Sequence, residues 1–382
     1  MKKVFLVVVT MVFISKGIIF AQSTGTVTLE EYVPKVIVEA KFGNSINEFG
    51  FHRQSKGHEY PDMGPNAIVI DSHGNIYILD SVNERIVIYN ENGEYKSNIF
   101  LKSLKRYKIF DPFNTSMAID SSGTIYILTT HLDFMQSPVV IELNKQGKFV
   151  KQYFDVSKLK KYTTEVEPSR KNQFIQMLNN IQKSENTKIL SDDFGEIRNL
   201  STEDGNVYIV TKKNYYLRET NNKIEKLHFK GNISLKQKYI YERNPKITDY
   251  SKVEPIENVI VKDLQGNIIR ILNLELPPDW QKDGWKLFNA GVSFEDIFNN
   301  KYVGIVAEKK SETGTLYSND FTSLIYKYNE DWELISIIRI KVDDPIYRFL
   351  SPIDKMGNIY QLVWNSKKLE EGVKVIKWKV KK

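Results

Sequence analysis

One six-residue phrase returns four times along the chain, and its spacing limits the available folds more than any other feature. The copies are Gly74-Asn75-Ile76-Tyr77-Ile78-Leu79, Gly123-Thr124-Ile125-Tyr126-Ile127-Leu128, Gly205-Asn206-Val207-Tyr208-Ile209-Val210 and Gly357-Asn358-Ile359-Tyr360-Gln361-Leu362. The first two glycines lie 49 residues apart, and the third and fourth lie 152 apart, close to three such steps. The second and third lie 82 apart, one step plus an insertion of 33. Self-similarity at this period marks a repeat architecture. The spacing predicts six units, two of them degenerate.

Each phrase follows a short apolar run and a tight turn. Ala67-Ile68-Val69-Ile70 runs into Asp71-Ser72-His73-Gly74, Met117-Ala118-Ile119 into Asp120-Ser121-Ser122-Gly123, and Pro352-Ile353 into Asp354-Lys355-Met356-Gly357. Glycine supplies the positive φ of such a hairpin, and the leading Asp accepts backbone N–H groups inside it. A second strand pair comes about ten residues later in each unit. Arg85 to Tyr89 turns at 90–93, Val139 to Leu143 at 144–147, Val259 to Val261 at 263–266, and Leu324 to Tyr328 at 329–331. Four short β-branched and aromatic strands per unit predict an all-β propeller of six four-stranded blades. The degenerate units are expected near Leu227 to Leu274 and Ser293 to Ile340. The last unit shows three strands, ending in Ile376 to Val380. Its fourth is expected from the N-terminus, Val36 to Ala40, so that the two termini close the ring and leave no open edge.

Pro65 to Ile86 reads Pro-x-Ala-Ile-x-x-Asp-x-x-Gly-Asn-Ile-Tyr-Ile-x-Asp-x-x-Asn-x-Arg-Ile, which resembles the NHL repeat of six-bladed propellers. Asp80, Asn83 and Arg85 match that family's turn and are expected to staple the blade rather than to touch a ligand. The resemblance fades in the later units.

The N-terminus reads as a secretory signal: Lys2-Lys3, an apolar run of 11 residues from Val4 to Ile14, and a small-residue exit at Ala21-Gln22-Ser23. Residues 1–23 are therefore assigned to a signal peptide and 24–382 to a single propeller domain, exported to the periplasm or secreted. The run is short for a spanning helix. With no cysteine in the chain, disulfides, thiol nucleophiles and thiolate metal sites are excluded. The formal charge of +7 falls to +4 without Lys2, Lys3 and Lys16. Export argues against nucleic acid as a partner; an envelope protein, a glycan or a small molecule fits the compartment.

The insertion falls at 155–189, where Phe174, Met177, Leu178 and Ile181 recur at helical spacing after Pro168-Ser169. It is expected to form a helix, either packed on the rim or acting as a lid. The hairpin turns are short, whereas the other connections are long: 51–65, 101–114, 129–138, 242–255, 276–291 and 309–322. Long loops on a rigid scaffold concentrate function. These segments carry Arg53, His58, Tyr60, Arg106, Tyr107, His131, Trp280 and Trp285, and Arg348 lies beyond Ile340 before the last unit; these are the aromatic and Arg types that anchor binding faces. They form the expected ligand-binding set.

Catalytic signatures are sparse. The five histidines are His52, His58, His73, His131 and His228, and none pairs at metal-ligand spacing. There is no Gly-x-Ser-x-Gly elbow and no phosphate-cradling glycine loop. Asp192-Asp193 and Asp343-Asp344 are adjacent acids, which point to opposite faces of a strand. Calcium is the one cofactor left open, although no EF-type loop is present to hold it. The sequence thus predicts a non-catalytic binding or scaffold propeller. The alternative is a metal-dependent propeller hydrolase or lyase with its site at the channel mouth.

Overall fold

The computed structural model describes residues 30–53, 62–101, 104, 115–131, 137–155, 175–176, 179, 186–190, 196–203, 205–211, 215–220, 223–228, 232–234, 239–244, 258–263, 267–274, 285–309, 321–342, 352–365 and 367–381. The first strand is β1 (Tyr32–Ala40). It is followed by β2 (Ala67–Ile70), β3 (Ile76–Asp80), β4 (Arg85–Tyr89) and β5 (Tyr95–Phe100), then by β6 (Ser116–Ile119), β7 (Ile125–His131), β8 (Ser137–Leu143), β9 (Phe149–Asp155) and β10 (Thr187–Leu190). Next come β11 (Ile197–Glu203), β12 (Asn206–Thr211), β13 (Tyr215–Thr220) and β14 (Lys223–His228), and after them β15 (Asn232–Ser234), β16 (Tyr239–Asn244), β17 (Asn258–Asp263) and β18 (Ile268–Asn273). The chain ends with β19 (Trp285–Glu295), β20 (Lys301–Lys309), β21 (Phe321–Tyr328), β22 (Leu334–Val342), β23 (Ile359–Trp364) and β24 (Val373–Val380). The described sheets run β2-β3-β4-β5, β6 to β10, β11 to β14, β15 to β18, β19 to β22, and β23-β24-β1. Consecutive strands pair antiparallel throughout, except that β10 lies parallel to β9. The fold is an all-β propeller. Among the described residues no helix is long and apolar enough to cross a membrane.

The repeated phrase forms because one aspartate saturates a whole turn. Asp354 Oδ1 accepts from Met356 N (2.9 Å) and Asn358 N (3.0 Å), while Oδ2 accepts from Asn358 Nδ2 (2.8 Å) and the Tyr360 hydroxyl (2.9 Å). Asp71 makes the same four bonds with His73, Asn75 and Tyr77, at 2.8 to 3.3 Å. Thus the Asn and Tyr of the phrase are turn ligands as well as strand residues. Gly357 sits at φ 77°, and an added Cβ would lie 2.2 Å from the Tyr302 hydroxyl, so both conformation and space require glycine there.

Apolar seams join neighbouring sheets. Val259, Leu272 and Leu274 meet Val303, Leu324 and Tyr326; Ile325 and Ile340 meet Ile359 and Trp378. Leu362, Val373 and Val375 pack on Ile76, Ile78 and Val87, Leu79 and Ile86 on Met117 and Ile127, and Leu128 and Val140 on Ile197 and Ile209. The termini meet as expected: β1 pairs antiparallel with β24, from Tyr32 opposite Val380 to Ala40 opposite Val373. The first strand of this terminal sheet shrinks to a bridge between Ile353 and Ile359, with Tyr360 N donating to Pro352 O at 2.9 Å.

Three expectations need correction. Among the described residues, the 155–189 insertion forms no helix; only Ile175, Gln176 and Asn179 have helical backbone, and Phe174, Met177, Leu178 and Ile181 lie outside the described set. Its last residues instead form β10, which adds a fifth strand beside β9. Because β9 and β10 are parallel, the chain leaves β9 at one end of the sheet and enters β10 at the other. The insertion therefore does not belong to one end alone. Trp285 is not in a loop: it opens β19 and packs against the Val303 and Tyr326 cluster. His131 likewise closes β7, opposite Ser137, so the connection after it spans only 132–136.

Candidate functional site

Antiparallel strand order fixes two unlike ends. Connections between the first and second strands of a sheet, and between the third and fourth, lie at one end. The others lie opposite. The first set comprises turns such as 71–75, 90–94, 120–124, 144–148, 296–300, 329–333 and 354–358, all bridged by backbone bonds of 2.9 to 3.1 Å. The second set includes the stretches from Ala40 to Ala67, Phe100 to Ser116, Asn244 to Asn258, Asn273 to Trp285 and Lys309 to Phe321. The β3–β4 and β12–β13 connections at this end are short.

At the short-turn end several polar side chains are committed to one another, although the buried Tyr89 and Tyr328 hydroxyls have no hydrogen-bond partner. The Tyr302 hydroxyl donates to Asp296 Oδ2 at 2.8 Å, and the Tyr32 hydroxyl to Gly357 O at 3.4 Å. Burial, reinforced by these neighbours, pushes the Tyr302 and Tyr360 phenols far above their ordinary range, and Tyr77 up to about 12. Lys327 Nζ pairs with Glu30 Oε2 at 2.6 Å. Lys377 Nζ lies 4.8 Å from the Tyr360 ring centroid, and burial lowers its pKa. Phenols held neutral by burial beside carboxylates are structural hydrogen-bond donors.

Among the described residues, the long end is built from solutions that do not repeat. Asp80 and Arg85 are buried and joined at 3.0 Å. Asp80 also accepts from Gly50 N (2.9 Å) and Asn83 Nδ2 (2.9 Å), Asn83 Nδ2 donates to Gly43 O (3.0 Å), and Arg85 donates to Glu48 O. The trio fastens 43–50, the link from β1 to β2, onto the β2–β5 sheet, which is the stapling role its sequence suggested. Beside it stands an aromatic cluster. Phe42 and Phe51 ring centroids lie 5.3 Å apart, and they approach Trp364 at 5.9 and 6.1 Å. Trp364 Nε1 donates to Pro65 O at 3.0 Å. Exposed Arg53 places its guanidinium 5.8 Å from the Phe51 centroid.

Of the expected binding residues, Arg53, His131 and Trp285 fall within the described set, and only Arg53 is exposed with an aromatic partner. His58, Tyr60, Arg106, Tyr107, Trp280 and Arg348 lie outside it. Phe42, Phe51 and Trp364 were not anticipated. Their signal was available as aromatics flanking the Gly43–Gly50 link, yet alternation in Trp364 reads only as strand. Buried Thr129, Thr130 and Thr211, at the long-end termini of β7 and β12, also escaped sequence reading. Among the described residues no group of three His, Asp or Glu is placed to hold a metal ion.

No family model matches the sequence, and no curated protein matches it. Solved structures do. The chain is similar to a member of the DUF4221 family from Bacteroides vulgatus, with 12% identity, 93% of this chain and 98% of that one covered, and a TM-score of 0.43. It is also similar to a virginiamycin B lyase from Staphylococcus aureus, with 10% identity, 92% and 100% coverage and a TM-score of 0.37. A protein of unknown function from Bacteroides caccae shows 11% identity, 76% and 85% coverage and a TM-score of 0.36. At such identities the likeness concerns the fold and assigns no activity to this chain.

Proposed function

We propose that this chain is an exported, non-catalytic, NHL-like propeller of six blades that captures a ligand at its long end. In this reading each described sheet is one blade, and the β11–β14 and β15–β18 sheets pack together to complete the ring. The N-terminal 23 residues are a signal peptide. The ligand is a segment of an envelope protein, a glycan or a small molecule. One observation carries the assignment: Arg53, exposed at the long end, rests on the Phe42–Phe51–Trp364 cluster. A guanidinium over an aromatic floor offers a flat, cationic stacking surface to a ligand, and gains most when a partner covers it.

The test is capture from cell-envelope extract, or binding on a glycan panel, by the full chain and by Arg53→Ala. The variant should lose most capture while melting within about 1 °C of the parent, because an exposed side chain contributes little to stability. Capture that survives Arg53→Ala and is lost on substitution of Lys145 or Lys355, at the other end, would overturn the reading.

A further inference from the structure

Two neighbouring hairpin turns at the short-turn end break the polar pattern of their counterparts. The turn at 296–300 exposes Ile297 (52%) and Phe298 (57%), and the turn at 354–357 exposes Met356 (49%). They form one surface, since Ile297 N donates to Lys355 O at 2.9 Å across the gap. Neither turn is free to fold its apolar side chains away. Asp296 holds Phe298 N (2.8 Å) and Asn300 N (3.0 Å), and Asp354 holds Met356 N and Asn358 N in the same manner. Equivalent positions elsewhere are Ser72-His73 and Ser121-Ser122. Rigid turns that keep large apolar side chains in water mark a docking surface.

The chain enters the propeller beside that surface. The Tyr32 hydroxyl donates to Gly357 O (3.4 Å), next to Met356, and Glu30 N donates to Ile335 O (2.8 Å). Before Glu30 the sequence holds the apolar run Val4 to Ile14. Roughly 15 residues separate the two, which at about 3.3 Å each reach some 50 Å at most. Whatever holds the apolar run during export therefore lies within reach of the short-turn end. The charges in and beside the two turns are of both signs, Lys355 and Lys301, whose Nζ donates to Asn299 O and to Glu330 O, against Asp296 and Asp354, which disfavours an occupant selected by charge.

We propose that Ile297, Phe298 and Met356 dock this end onto a phospholipid bilayer, so that the propeller stands on the membrane with its long end outward. The three side chains enter the headgroup–acyl boundary, where apolar insertion without net charge binds weakly and reversibly. The signal run brings the surface to the bilayer, and the contact outlasts its removal.

The absence of cysteine makes the test clean. Full-length Met356→Cys and Arg53→Cys proteins would each carry one environment-sensitive fluorophore and be mixed with phosphatidylcholine vesicles bearing a lipid-attached quencher. The label at 356 should lose about half its emission or more, and the label at 53 should keep its own. Raising salt to 1 M should leave both results unchanged, in line with the mixed charges. Adding Ile297→Asp and Phe298→Asp to the Met356→Cys protein should abolish the quenching while the apolar run still binds vesicles. Equal quenching at both sites, or none at 356 in vesicle-bound protein, would overturn the proposal. So would a concentration-dependent change at 356 without vesicles, which would identify a second copy of the chain as the occupant.

Discussion

At the short-turn end one local device recurs: an Asp or Asn at the start of the turn accepts the N–H groups two and four residues on. It appears at Asp71, Asn90, Asp120, Asn144, Asp296, Asn329 and Asp354. Among the described residues of the long end no device recurs in this way. The buried Asp80–Arg85 pair holds the β3–β4 connection and the 43–50 stretch, whereas Phe42 and Phe51, on either side of that stretch, rest on Trp364. A device confined to five residues can be copied into every unit and tolerates change around it. A contact made across the chain exists once, and its loss has no local substitute. The repeated end is where the chain secures the scaffold, and the unrepeated end is where it can vary what the scaffold presents.

The largest effect should come where both ends depend on one strand. Residues 376–380 of β24 pair with β23 on one side, from Gln361 opposite Ile376 to Ile359 opposite Trp378, and with β1 on the other. Removing 376–382 strips β1 of its partner from Tyr32 to Val36, leaving only its pairing with 373–375, and opens two sheet edges. Calorimetry should show a fall of about 10 °C or more, or loss of cooperative unfolding. A truncated protein that melts like the parent would refute closure by the termini.

Next in size are three substitutions, one at the long end and two at the short-turn end. Asp80→Ala leaves the Arg85 guanidinium buried without its carboxylate and releases the 43–50 link, at a cost of about 3–5 kcal/mol. Asp354→Ala removes a single turn acceptor and strands the Tyr360 hydroxyl, costing about 2 kcal/mol, and Asp71→Ala, at a more exposed turn, under about 1 kcal/mol. Chemical denaturation of the three variants ranks them directly. If Asp354→Ala proved costlier than Asp80→Ala, the contrast between a copied device and a unique contact would fail.

The same contrast explains what could be read from the sequence. The Asp-x-x-Gly-Asn-x-Tyr signature lies within seven residues, so the turns, the strand pairs and the N-terminal partner of β24 were legible. The 296–300 turn was missed because Asn299 takes the positive φ (63°) that glycine takes elsewhere, which erases the phrase while keeping the geometry. Trp332 takes the same conformation, at φ 64°, in the turn at 329–333, which stayed legible because Asn329-Glu330-Asp331 follows a clear strand. Trp285 was misplaced because the bulges at Leu287/Asn289 and Ala290/Val292 break the alternation of β19. The aromatic floor under Arg53 joins Phe42 and Phe51 to Trp364, more than 300 residues away, and no local pattern reports such a contact. Propeller architecture is periodic and therefore visible, whereas the described contacts of the long end are assembled from distant single residues.

The smallest expected effect sharpens the account of the short-turn end, where carboxylates are shared between sheets. Glu219 Oε2 accepts from Lys151 Nζ at 3.2 Å and from the Tyr153 hydroxyl at 3.1 Å, and Lys188 Nζ lies 3.5 Å from Oε1. Burial raises the carboxyl pKa, but these hydrogen bonds and the two ammonium charges together outweigh it and hold Glu219 below its ordinary value. A depressed acid stabilises the fold above its unfolded pKa, near 4.3, and that stability is lost as pH falls through the lower folded value. Glu219→Gln should therefore flatten the acid limb of the melting profile below about pH 4.5, with a loss on the order of 1 kcal/mol or less at pH 7. Profiles of parent and variant that stay parallel down to pH 3 would show that the lysines are held by solvent, and that this junction of the β6–β10 and β11–β14 sheets rests on its apolar seam alone.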